Sequence, residues 1–266
     1  MNKVGILLVR RLIKIVANLL KVGCYGFHGV FPKKRFLIPG HAAPLLSGKA
    51  RSGKAVGIIP KTIWQTNFTN RVTLPVYINY LFNRLMAPTY EHRFMVTAER
   101  AEFIQAHYSP EIFNTYSRIQ IGAAQADFWR VLALQKHGGV YMDIDAHLIW
   151  PLERILPPEQ EELYIQIKTQ ELSNYFIASK PNNPNLEKVI VQIQENIATG
   201  NSKNTYEITG PGVFTKLLRP LNVPTRYYLY TCNQGNFTNE YFQYIDKPQG
   251  KWTKEQQKTD VIRKEP

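Results

Sequence analysis

Two aspartates two residues apart close the run Val140-Tyr141-Met142-Asp143-Ile144-Asp145, directly behind Gly138-Gly139. Alternate residues of a strand point to one side, so Asp143 and Asp145 can converge on a single site. Two carboxylates held close repel one another, and the arrangement persists most readily with a divalent cation between or beside them. An open α/β sheet places its ligand at the carboxyl ends of its strands, where this pair falls. Alone, Asp-x-Asp is as readily a solvated turn, but upstream Asp127 and Arg130 stand three apart and share a helical face. As a surface ion pair they would contribute little. Turned into a cleft, Arg130 offers a planar donor fork and Asp127 accepts from hydroxyls.

These side chains need a helix, a stop and a strand to hold them. Residues 123–137 are rich in helix formers, with Ala124, Phe128, Val131 and Leu132, then Gln135, at helical spacing. Lys136 and His137 suit the last turn, and Gly138 suits a left-handed C-cap. Further strands are expected at 58–65, 92–96, 164–168 and 176–179, and helices at Leu74–Met86, 98–107 and 184–198. The last of these buries Leu186, Val189, Ile190, Ile193 and Ile197. Strands alternating with helices imply an α/β fold with a mainly parallel sheet covered on both faces. The polar tail from Gln249 is expected to be loosely held unless it closes over a ligand.

The string Ala123-Ala124-Gln125-Ala126-Asp127-Phe128-Trp129-Arg130, followed by Gly138-Gly139-Val140-Tyr141-Met142-Asp143-Ile144-Asp145, resembles the DXD-containing sugar-transferase family. That family includes the yeast outer-chain initiating mannosyltransferase and bacterial capsule and lipopolysaccharide glycosyltransferases, and is distantly related to large glucosylating toxins. Ile59-Pro60-Lys61-Thr62-Ile63-Trp64-Gln65-Thr66, Asn174-Tyr175-Phe176-Ile177-Ala178-Ser179-Lys180-Pro181 and Thr209-Gly210-Pro211-Gly212 are similar to further blocks of the family, in its order. The resemblance spans about residues 58 to 220. It implies a GT-A fold, a nucleotide-sugar donor, a glycan or lipid-linked glycan acceptor, and Mn²⁺ or Mg²⁺. It implies that Asp145 binds the metal and that Asp143 contacts ribose, sugar or the metal through water. Asp127 and Arg130 would meet the donor sugar, with Arg130 also near the phosphate. Tyr141 would lie against the donor, or equally be a buried strand aromatic. Trp64, at the end of the first strand, would border the nucleoside unless, as a lone Trp, it packs in the core. Asn174 would be a polar contact near sugar or acceptor. Family members retain anomeric configuration, and no carboxylate here stands out as a covalent nucleophile, which favours front-face attack by the acceptor. The chain departs from the pattern at Asn67-Phe68, where a Trp is common, and at Asn183, where a His is common. The late His-x-x-Gly-Ser-Trp block is absent, and Gly250-Lys251-Trp252 is its nearest counterpart.

The 266 residues suffice for one full-size α/β core. Two cysteines, Cys24 and Cys232, argue against a disulfide framework and fit a reducing compartment. Without a zinc-spaced Cys/His cluster, a hard cation on oxygen is the expected metal. Residues 1–21 pattern as an amphipathic membrane-associating helix, with Lys3, Arg10, Lys14 and Lys21 along one face and aliphatic residues over the remainder. A signal peptide and a helix docked on the core are its rivals. Residues 22–57 read as a basic linker containing Gly and Pro, and 58–266 as the catalytic domain. Lys33-Lys34-Arg35, Lys49, Arg51 and Lys54 extend the positive surface, each worth about 1 kcal/mol near an anionic leaflet. The net charge of +13 is thus read as attraction to an anionic membrane surface rather than to nucleic acid, for which no motif is present. A cytoplasmic enzyme, peripheral on the inner face of the plasma membrane and acting in lipopolysaccharide or capsular polysaccharide assembly, is the expectation. A haloacid-dehalogenase-like phosphatase using the Asp-x-Asp pair and a non-catalytic membrane-associated scaffold are the alternatives.

Overall fold

The computed structural model describes residues 3–46, 57–200 and 204–263; Lys49, Arg51 and Lys54 lie outside them. Seven strands form the central sheet, in the order Thr225–Tyr227, Glu162–Gln166, Leu172–Ser179, Gly139–Met142, Thr62–Thr66, Glu91–Met95, His41–Ala42. Leu172–Ser179 and the edge strand His41–Ala42 run against the other five. The sheet is therefore mostly parallel in strand direction and flanked by helices, as the alternation of elements implies.

Gly139–Met142 sits at the centre, parallel to Thr62–Thr66 and antiparallel to Leu172–Ser179. Its side chains alternate between two cores. Tyr141 joins Trp64, Phe128, Trp129 and the buried face of helix Pro184–Thr199, whereas Val140 and Met142 join Ile63, Leu148 and Phe176. The preceding helix, Gly122–His137, is buried without a break from Asp127 to Leu134. That differs from the one-sided stripe expected from its spacing. The helix is wedged between the sheet and its neighbours Thr97–His107, Pro110–Arg118 and Pro184–Thr199, so nearly every side of it is interior.

The Gly138-Gly139 stop is more demanding than a left-handed cap. Gly138 has φ 65° and ψ −167°, a region open to glycine alone, and Gly139 has φ 106°. A Cβ on Gly139 would lie 2.6 Å from the Thr62 carbonyl, and one on Gly138 would lie 2.8 Å from Pro60 and Pro181. The chain can cross from helix to central strand only because both side chains are missing.

The N-terminal helix runs Lys3–Val30, well past residue 21, and docks through Ile6, Ala17, Cys24 and His28. His28 Nε2 accepts from the Leu74 amide at 3.1 Å, and Arg10 Nε donates to Asn233 Oδ1 at 2.7 Å. The segment read as a linker is ordered where described. Phe36–Leu37 pairs with Arg71–Val72, and His41–Ala42 supplies an edge strand. Two-residue strands carry no periodicity to detect, which is why composition alone suggested a linker. The tail also folds back. Val261 is buried, its carbonyl accepts from the Gln120 amide at 2.8 Å, and Ile262 bridges to Ile119.

Candidate active site

The two aspartates do not lie on the strand. It ends at Met142, and a tight turn follows, closed by the Ala146 amide donating to the Asp143 carbonyl at 3.0 Å. The carboxylates converge through this turn rather than through the pleat expected for residues i and i+2. The turn is held from behind by helix Leu74–Met86. Asn79 Nδ2 donates to the Ile144 and Ala146 carbonyls at 2.8 and 2.9 Å, and Asn83 Nδ2 donates to the Ala146 carbonyl at 2.8 Å.

Arg130 joins the helix to the turn. Its Nη2 lies 2.8 Å from Asp127 Oδ1, and its Nη1 lies 3.2 Å from Asp143 Oδ1 and donates to the Asn174 carbonyl at 2.8 Å. The guanidinium stacks 4.2 Å from the Tyr141 ring centre, and the Tyr141 hydroxyl donates to Asp143 Oδ1 at 2.7 Å. Asp127 accepts further from Asn174 Nδ2 at 2.9 Å and from the Thr209 hydroxyl at 3.2 Å. The fork of Arg130 is thus committed to positioning both acidic motifs. Asn174 likewise holds Asp127 and Arg130 in place.

Burial pushes the Asp127 carboxyl up to about 6, with the Arg130 charge pulling the other way. Asp145 is also pushed up to about 6, by burial and by the charge of Asp143. Burial opposes the Arg130 charge, yet Tyr141 and the three aspartates around it raise its pKa overall. The three aspartates share one strong cation. That arrangement favours a further cation beside Asp145, whose two oxygens meet only neutral amides: Gln234 Nε2 at 3.2 Å and Gln243 Nε2 at 3.3 Å.

A cavity of ≈ 560 Å³ opens over these groups, with Asp127, Arg130, Tyr141, Asp143, Asp145 and Asn174 in its wall. Trp64 is absent from that wall. Its indole N–H donates to the Gly138 carbonyl at 2.9 Å inside the core, correcting its expected place beside a nucleoside. Thr66, Asn67 and Phe68 line that side instead. Lys251 and Trp252 reach the cavity, as does Lys247, which pairs with Glu255 at 2.6 Å. Asn183 serves elsewhere, capping helix Pro184–Thr199 by accepting from the Asn185 amide at 2.8 Å.

Several site residues escape a reading of the sequence. Thr209 opens the Thr209-Gly210-Pro211-Gly212 stretch, but its bond to Asp127 spans 82 positions. Gln234 and Gln243 lie about 90 residues beyond the aspartates, in segments with no motif or periodicity to mark them.

Among the described residues, no cluster of three or more His, Cys, Asp or Glu could hold a metal. Two carboxylates on a turn, with room for phosphate oxygens, do fit a hard cation such as Mg²⁺ or Mn²⁺. Such ions commonly take one or two protein carboxylates and complete their shell from substrate and water.

Comparison with known proteins agrees with the motif. Residues 75–162 match the model of the "glycosyltransferase sugar-binding region containing DXD motif". The chain is 23% identical over 187 residues to the "initiation-specific alpha-1,6-mannosyltransferase" of Schizosaccharomyces pombe, covering 59% of this chain and 47% of that protein. It is 27% identical over 135 residues to the "putative glycosyltransferase HOC1" of Saccharomyces cerevisiae, covering 40% and 34% respectively. The chain therefore spans half or less of these relatives' own lengths. Among solved structures, "PaToxG glycosyltransferase" is similar at 18% identity and a TM-score of 0.46, over 61% of this chain and 70% of that one.

Proposed function

We propose that this chain, which carries the sugar-binding region of a DXD glycosyltransferase family, transfers a sugar from a nucleotide-sugar donor to a glycan acceptor, with a divalent cation and with retention of configuration. The observation that carries this reading is the Arg130 bridge, whose guanidinium lies 2.8 Å from Asp127 of its own motif and 3.2 Å from Asp143 of the Asp-x-Asp pair, all in the wall of one cavity. Pockets of about 300–1,000 Å³ suit ligands of this size.

Asp145 and Asp143 would hold a divalent cation, which would supply charge compensation for the diphosphate. Asp127, oriented by Asn174, Thr209 and Arg130, accepts hydrogen bonds from sugar hydroxyls. Its oxygens are already engaged by three partners, so it binds rather than attacks. The acceptor hydroxyl approaches from the face the nucleotide leaves and passes its proton to the departing phosphate oxygen. Lys251 and Trp252 provide a cation and an aromatic face at the rim, where a diphosphate and a base would lie. Mannose is the first sugar to test, because one relative is named a mannosyltransferase. Lipopolysaccharide or capsular polysaccharide assembly on the cytoplasmic side of a membrane is the setting this reading implies.

The test is a titration of the purified chain with GDP-mannose and several UDP-sugars, with Mn²⁺, Mg²⁺ or excess chelator, reading nucleotide release and binding. One or more donors should bind and turn over only with metal, and Asp145→Asn should abolish turnover. Binding of no donor, or undiminished turnover in chelator, would overturn the reading. Metal-dependent phosphate release from a simple phosphomonoester in its place would favour the phosphatase alternative.

A further inference from the structure

The N-terminal helix turns an aliphatic face away from the protein, and we propose that this face docks on an anionic lipid bilayer, lying in the interface rather than crossing it. At 100° per residue, the docked residues Ile6, Ala17, Cys24 and His28 fall on one side of the helix. Leu8, Leu12, Ile15, Leu19 and Val22 fall on the opposite side, at alternating spacings of four and three, and Val16 and Leu20 widen the arc. All seven are exposed; Leu12 is 62%, Leu19 69% and Val22 70% accessible. The face continues through Val30 and Phe31, also exposed. Solvent-facing aliphatics over six turns are not explained by the contacts that hold the helix to the core.

Charge distinguishes the occupant. No Asp or Glu precedes Glu91, whereas 14 of the 33 Lys and Arg do; from Glu91 onward, 19 basic residues meet 20 acidic ones. The whole excess of +13 therefore resides in the first third of the chain. Lys3, Arg11, Lys14, Lys33 and Lys34 are exposed, and none has a carboxylate within ion-pair distance among the described residues. Arg11 borders the aliphatic arc, where headgroups of a membrane-embedded helix lie, while Lys14 and Lys3 sit farther round, toward the docked side, and Lys33 and Lys34 follow the end of the helix. A second copy of the helix fits poorly. The apolar arc is broader than a two-helix seam, and its flanks would bring like charges together with no acid to offset them. No described helix is long and apolar enough to cross a membrane. Apolar burial to headgroup depth plus attraction to anionic lipid is the remaining way to cover this face.

The docked helix also touches the site. Lys21 Nζ donates to the Gly235 carbonyl at 3.2 Å, and Arg10 bonds Asn233, so both flank Gln234, which donates to Asp143 and Asp145. On the glycosyltransferase reading above, a bilayer-bound helix would bring the cavity to lipid-linked acceptors.

Flotation of the full chain with vesicles tests the proposal independently of any transferase activity. It compares 70:30 phosphatidylcholine:phosphatidylglycerol with phosphatidylcholine alone, at low and high salt. The chain should float with the anionic vesicles and be released by salt. Leu12→Glu/Leu19→Glu should weaken partitioning at least about tenfold, since each leucine contributes its apolar burial. Arg11→Gln/Lys14→Gln/Lys33→Gln/Lys34→Gln should weaken it on anionic vesicles only. Circular dichroism would confirm that both variants fold. No flotation by the parent chain, or equal flotation by the Glu variant, overturns the proposal. So does a parent dimer in sedimentation that the Glu variant dissolves, since the face would then be covered by a second copy. Failure of donor turnover with flotation intact would count against the enzymatic reading alone.

Discussion

Asp145→Asn should make this protein more stable while removing its proposed activity. The Asp145 carboxyl is raised from 3.8 to about 6, by burial and then by Asp143. A raised carboxyl favours the folded state fully below the unfolded pKa, and that advantage is lost as pH rises through the folded one. Above pH 7 the fold therefore carries an ionised Asp145 at a cost of about 3 kcal/mol, taking 1.36 kcal/mol per pH unit. Asparagine removes the charge. Its single carbonyl oxygen keeps only part of the bonding to Gln234 and Gln243, a loss of about 1 kcal/mol. The net gain of about 2 kcal/mol corresponds to a rise of about 4–8 °C in melting temperature for a domain of this size. Thermal unfolding by circular dichroism in metal-free buffer at pH 7.5 measures it. At pH 5 most of the gain should vanish, because the parent aspartate is by then largely protonated. A variant less stable than the parent at pH 7.5, or a gain independent of pH, would refute the reasoning. A carboxylate kept at a cost to the fold is expected where a bound cation is to offset that cost.

Three further outcomes follow from the same geometry. Arg130→Met should destabilise by about 3–5 kcal/mol, because it strands the buried Asp127 carboxylate and removes the partner of the half-buried Asp143, and denaturant titration would record it. Trp64→Phe should leave the donor dissociation constant unchanged and cost about 1–3 kcal/mol through the orphaned Gly138 carbonyl; a weakened donor titration would contradict its place in the core. Mn²⁺ should bind about tenfold more weakly at pH 5 than above pH 7, because a proton on Asp145 competes with the ion, and calorimetry would find no such loss if Asp145 were not a ligand.

The parts of the site that could be read from the sequence are those that lie close together along it. Asp127, Arg130, Gly138, Gly139, Asp143 and Asp145 fall within 19 residues, so helix spacing and a glycine stop sufficed to bring them together. The means of convergence was less visible, since a turn and a strand both bring residues i and i+2 near one another. Trp64 shows the limit of placing a residue by its strand. The strand ends at the cavity, but the indole is needed under Gly138, where a backbone carbonyl would otherwise lack a partner. Gln234 and Gln243 could not be found at all, because two glutamines in short irregular segments look like any surface glutamines until folding sets them against Asp145. The N-terminal helix was visible as amphipathic. Its length was not, because the Gly- and Pro-containing composition of residues 22–57 suggested a linker, yet Gly23, Gly26 and Gly29 all lie within the helix.

The aspartate turn is gripped on its two sides by amides of different kinds. Asn79 and Asn83 hold its backbone from the interior, where a lost hydrogen bond finds no substitute. Gln234 and Gln243 hold its side chains from the open side, where a ligand or water can take their place at little cost. The turn therefore behaves as a fixed jaw facing a replaceable one. On the proposed function, a variant that retunes which donor is accepted would arise in the 234–252 stretch while the turn and its asparagines stay unchanged, which would put chemistry and preference in separate lengths of chain.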